Sequence, residues 1–165
     1  MKKIFLASMM LLAAVTLSAQ SIVGKWKSEP MVQDGMNYVM FITFAGDNKT
    51  CNVLANFEAE QADMKLAAHL SIPSLFTLTG DQLALDFQKD KMEFKLDELS
   101  FTGKAAEELK KNPSMEGMIR SMIEQALNGQ KDKMIEDFPL SGKSNVTITD
   151  TTLKIDEMVL TRVGK

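Results

Sequence analysis

Residues 64–87 read MKLAAHLSIPSLFTLTGDQLALDF, and their pattern decides the fold class. Met64, Leu66, Ala68, Leu70 and Ile72 alternate with Lys65, Ala67, His69 and Ser71, the period of two that a half-buried strand requires. Phe76 and Leu78 then lead into Gly80-Asp81, and Leu83, Leu85 and Phe87 leave it. A Gly-Asp pair between two alternating runs is a hairpin signal. The alternation extends in both directions. Upstream, Ile22 to Ser28 reads as a first strand. Met36, Tyr38, Met40, Ile42 and Phe44 form one apolar face, with Val39 and Phe41 on the other. Cys51, Val53, Ala55 and Phe57 form the next. Downstream, Met92, Phe94 and Leu96 resume it after Lys89-Asp90.

The period then changes. Residues 104–111 (KAAEELKK) make a short helical run after Gly103. Asn112-Pro113 supplies a capping residue and a first-turn proline, with Glu116 close behind. From there Met115, Met118, Ile119, Met122, Ile123, Ala126 and Leu127 fall on one stripe with 3.6 spacing, and Asn128-Gly129 is a helix stop. Lys131 to Phe138 adds a turn or two before Pro139. Strands return with Val146 and Ile148, Leu153 and Ile155, and Met158 to Val163.

The expected architecture is mostly β: an antiparallel up-and-down barrel with a helical insertion at about 104–137 before the last strands. Closure removes the open edges that a meander of about nine or ten strands would otherwise carry. A two-sheet sandwich is the alternative. The length, 165 residues, and an apolar content of 45% suit one domain with a sizeable core.

Residues 1–19 read as an address. Met1-Lys2-Lys3 is basic, Ile4 to Val15 is apolar but for Ser8, and Thr16 to Ala19 is mostly small, the build of a secretory signal peptide cleaved after Ala19. The mature domain is then 20–165. The expected location is exported, periplasmic or secreted. The Ala19-Gln20 junction has a bacterial look, and the absence of cysteine before Cys51 argues against a lipoprotein. No later stretch approaches the ~20 apolar residues of a membrane span. The net charge of −3, which becomes more acidic once two lysines leave with the signal, argues against nucleic acid as a partner.

The residues argue against catalysis. One Cys and one His exclude a Cys/His zinc site and an internal disulfide. Alternation turns Cys51 inward and His69 outward, so the two do not form a dyad. No strand-to-helix elbow presents a serine, and Gly24, Gly35 and Gly46 are isolated rather than a phosphate loop. Glu58 and Glu60 read as solvated edge charges. The acids around Asp47, Asp86 and Asp90 lack calcium-loop spacing. The expectation is no enzyme, no metal and no cofactor.

One motif carries a family resemblance. Gly24-Lys-Trp26 heads the first strand, Trp26 is the single tryptophan, and Arg162 lies in the last strand within Leu160-Thr-Arg-Val163. This resembles the opening of the small exported lipocalin-like (calycin) β-barrels of bacteria. The other signature blocks of the classical family are absent. The helical insertion also precedes several strands, where the classical helix precedes one. The resemblance implies that Trp26 closes the barrel floor and that Arg162 packs across its ring. A guanidinium over an indole contributes about 1 kcal/mol or more.

An eight-stranded barrel is either filled by its side chains or wide enough for one small ligand. The inward faces would offer Tyr38, Met40, Phe57, Leu66, Leu70, Phe87 and Phe94 to a small hydrophobic molecule. Met118 and Met122 would add adaptable thioethers if the helix closes over the mouth. A helix that plugs the end or packs outside is the other outcome. A filled barrel acting through its outer surface, as a protein-interaction or envelope module, is the competing function.

Overall fold

The alternating runs pair as antiparallel strands because each has one apolar face to bury. A computed structural model describes residues 22–33, 36–129, 131–136, 138, 140 and 142–164; residues 1–19, where the sequence suggests a leader, lie outside the described residues. Its strands are β1 (Gly24–Ser28), β2 (Met31–Gln33), β3 (Met36–Phe44), β4 (Thr50–Gln61), β5 (Met64–Thr79), β6 (Gln82–Phe87), β7 (Glu93–Phe101), β8 (Gly142–Ile148), β9 (Thr152–Ile155) and β10 (Met158–Arg162). Three helices separate β7 from β8: α1 (Gly103–Lys111), α2 (Ser114–Gly129) and α3 (Lys131–Glu136).

The sheet closes. Neighbours run β1-β10-β9-β8-β6-β5-β4-β3, and β3 pairs back with β1 to complete an eight-stranded antiparallel barrel. Trp26 sits directly opposite Arg162 on one side and Ile42 on the other. The short β2 continues along β3 beyond β1.

Two local features shape the barrel's second half. β5 is one strand of 16 residues that runs through Pro73 without a break. The Pro73 carbonyl accepts the Gln88 amide at 2.9 Å, just where β6 gives way to the 3-10 turn Lys89–Lys91. A strand residue points its N–H and C=O to the same side, so the donor that proline lacks falls at a gap in the ladder. β5 therefore pairs with β6 through Ser74–Thr79 and with β7 through Met64–Ser71. In β7 a bulge at Asp97 shifts the register between Ala67 and Ala68. The extra residue sets Leu96 and Leu99, three apart, on the same inner face.

β7 and the first half of β5 thus carry the barrel wall past its ring, and the helices cover that extension. Ile119 and Ile123 of α2 pack on a small cluster of Ala68, Leu96 and Leu99. Arg120 Nη1 donates to the Leu96 carbonyl at 3.2 Å and ties the helix to β7. α1 begins at Gly103, whose φ of +55° and close approach to the Asp63 carboxylate leave no room for a Cβ. α3 and the chain after it drop into the barrel end. Ile135 and Leu140 are buried in the main core, and Phe138 meets Phe87 edge to face at 5.6 Å. The insertion therefore plugs with its last turn and covers with its longest helix.

Candidate functional site

The barrel has a closed end and a covered end, and the residues divide between them. At the closed end Trp26 is fully buried, its indole Nε1 donating to the Ile22 carbonyl at 2.8 Å. The Arg162 guanidinium lies 4.1 Å from the centroid of the ring. Its Nη1 donates to the Val23 carbonyl and its Nε to the Asp150 carbonyl, each at 2.8 Å. Gly24 holds φ at +129°, and a Cβ there would lie 2.8 Å from Arg162 Nη1. The glycine of the Gly-x-Trp motif is the space that the arginine occupies.

Above this floor the fully buried side chains of the interior are closely packed. Met40 and Leu70 are each 1% exposed, and they join Ile42, Phe44, Val53 and Ile72 in one apolar cluster. A side chain facing a void of water size would show accessible surface, so these residues line none. Among the buried side-chain polar atoms described, none lacks a hydrogen-bond partner. The Ser28 hydroxyl, for example, donates to the Glu29 carbonyl and accepts the Met40 amide.

Part of the inward-facing apolar surface remains accessible toward the covered end. Tyr38, Phe57 and Phe94 form a ladder across β3, β4 and the β5–β7 wall, with centroid separations of 6.1 and 6.5 Å. All three are half-buried, as are Leu66 and Phe87. Leu66 and Phe94 also border the cluster beneath α2. Next to this cluster, between β7 and the α1–α2 pair, lies an open, solvent-facing cleft of about 540 Å³. Leu99, Phe101, Ala106, Leu109 and Pro113 give it apolar walls, and Lys110 and Glu116 put one charge of each sign in its lining.

Met118 and Met122 do not line this space. They are 64% and 61% exposed, on the solvent side of α2. The apolar sector of the helix is wide, and the half that turns to the sheet carries Ile119 and Ile123. The residues missing from the sequence reading are Leu99, Phe101, Ala106 and Leu109. The alternation that marks Phe94 and Leu96 breaks at the Asp97 bulge, which hid the return of the inner face at Leu99 and Phe101.

On the outer wall, His69 Nδ1 is hydrogen-bonded to Asp97 Oδ2 at 2.7 Å, a contact set up by the same bulge. It borders a shallow groove of about 280 Å³ with Asn56 and Glu58. No group of three His, Cys, Asp or Glu among the described residues is arranged to hold a metal ion.

Cys51 is a free, buried thiol opposite Ser74. Burial pushes it up to about 12, against an ordinary 9.0. Two outcomes follow. A thiol reagent at neutral pH labels the unfolded chain and leaves the folded one unmodified, read by mass spectrometry with and without denaturant. The folded state also keeps its proton while the unfolded thiol ionises, so this group's share of stability falls between pH 9 and 12. Replacing Cys51 with alanine flattens that alkaline loss in denaturant titrations.

No family model, curated protein or solved structure matches this chain.

Proposed function

We propose that this chain is an exported, lipocalin-like binding protein that holds a small hydrophobic molecule at the helix-covered end of its barrel and has no catalytic role. The cleft between β7 and the α1–α2 pair carries this reading. Its volume of about 540 Å³ lies within the roughly 300–1,000 Å³ typical of small-molecule sites, and its walls are mostly apolar. The half-buried Tyr38–Phe57–Phe94 ladder continues the apolar surface toward the barrel interior. The covering helices add their own support. α1 and α2 have no buried residue, so their docking is shallow and opening them exposes little core. The Gly24–Trp26–Arg162 closure supports the lipocalin-like comparison, and the apolar, small-residue-terminated leader supports export.

Protein purified from its native host and extracted into organic solvent should release one lipid-like species in stoichiometric amount, identified by mass spectrometry. Ala106→Trp fills the cleft from α1 and should reduce the recovered species by tenfold or more while the thermal midpoint stays close to that of the parent. Clean extracts from both proteins, with no thermal stabilisation by fatty acids, retinoids or haem, contradict the reading. They favour a filled barrel working through its outer surface, as an interaction or envelope module. Exposed Val32, Leu75 and Val159 on the wall speak for that second reading.

A further inference from the structure

α2 spends its apolar residues in two directions. Its branched aliphatics, Ile119 and Ile123, pack on β7. Its methionines face solvent: Met115 is 42% exposed, Met118 64% and Met122 61%. Intervals of three and four residues put neighbouring members about one helical turn apart along a single strip. The residues beside them on the exposed surface, Ser114, Gly117, Ser121 and Gln125, are small or polar. Methionine also serves adaptable apolar docking surfaces, where it is mixed with leucine, isoleucine and aromatic side chains. Here every large apolar member is a thioether, and what thioethers add to aliphatic chains is a soft sulfur donor.

We propose that Met115, Met118 and Met122 form a binding site on the outer face of α2 for a soft monovalent cation, Cu(I) or its analogue Ag(I). Neutral thioethers select Cu(I) among biological metal ions, whereas calcium and magnesium need oxygen ligands and zinc takes thiolate, imidazole or carboxylate. Met118 is central. Its unbranched chain, like those of its neighbours, has three rotatable bonds, so adjacent sulfurs reach a common ion from successive turns. Two sulfurs satisfy linear coordination and the third completes a trigonal set. The nearest ion pair on the helix, Arg120 with Glu124 at 3.9 Å, leaves the strip uncrossed. None of the three ligands carries a proton to lose, so affinity does not change between pH 5 and 8. That separates this site from any built on cysteine or histidine.

The test is silver nitrate titration of the purified protein with methionine ε-methyl NMR as the readout, paired with anaerobic Cu(I) competition against a chromophoric chelator. One ion per chain should bind, moving the methyl signals of Met115, Met118 and Met122 and sparing the other methionines. Met115→Leu/Met118→Leu/Met122→Leu keeps apolar volume and helix propensity, and should weaken binding at least a hundredfold with the circular dichroism unchanged. Met118→Leu alone should weaken it at least tenfold, which keeps the test intact if the triple variant misfolds. A Cys51→Ala protein should bind as the parent does. Undiminished binding in the leucine variants, affinity that rises with pH, or shifts confined to other methionines overturns the proposal. An apolar docking face predicts the first of these or no binding at all.

Discussion

Trp26→Ala lowers the free energy of unfolding by about 3–5 kcal/mol, the range for deleting a fully buried aromatic side chain. In a domain of this size the midpoint of thermal unfolding falls by roughly 10 °C. The loss has three parts. The indole fills the barrel floor, with none of its surface exposed. Its Nε1 satisfies the Ile22 carbonyl. Its ring is the platform for the Arg162 guanidinium, which in turn binds the Val23 and Asp150 carbonyls. β1 pairs with both β3 and β10, so the damage falls at the seam where the sheet closes. A double-mutant cycle with Arg162→Ala should return a coupling of about 1 kcal/mol. Coupling near zero would mean that ring and guanidinium are neighbours without mutual stabilisation. Gly24→Ala tests the same cluster from the other side, because the new methyl and the arginine compete for one position at a backbone angle that disfavours any side chain.

Leu70→Ala costs about 2–5 kcal/mol in urea unfolding and leaves the amount of co-purified ligand unchanged. Leu70 is 1% exposed and sits in the main cluster, opposite Ala55 on β4 and Phe94 on β7. Its truncation opens a cavity in a packed interior. The matched surface control, Met118→Leu, shifts stability by less than about 0.5 kcal/mol, since Met118 covers no core. A Leu70→Ala protein with parental stability but altered ligand content would place the binding space inside the barrel instead.

The elements that the sequence disclosed are those written in local pattern. Alternation locates the strands, and Gly80-Asp81 does form the two-residue link between Thr79 and Gln82. The change of period at Gly103 marks the helices. Closure follows from the open edges that so long a meander would otherwise carry, and the meeting of Trp26 with Arg162 is what the resemblance of Gly24-Lys-Trp26 to the lipocalin-like barrels implies. Three features were not legible, each for a reason that lies outside its own stretch of chain. Pro73 breaks a strand pattern locally, yet its missing donor costs nothing where β6 hands over to β7. The Asp97 bulge changes phase within β7, and only the pairing with Ala67 and Ala68 reveals it. On α2, Met118 and Met122 lie on an arc about 100° from Ile119 and Ile123. Both arcs are apolar, so docking against Leu96 and Leu99 decides which one is buried. That choice leaves Met118 and Met122 in solvent and sets the apolar cleft at Leu99, Phe101, Ala106 and Leu109.

The most direct test of a packed barrel with a ligand cleft beneath its helices is methyl-resolved NMR of the protein purified from its native host, recorded before and after delipidation. Spectral changes should centre on Ala106, Leu109 and Leu99 and reach Ile119 across the cluster, while Ile155 and Leu160 at the core stay fixed. Changes centred on Ile155 and Leu160, or superimposable spectra with nothing in the extract, would contradict it.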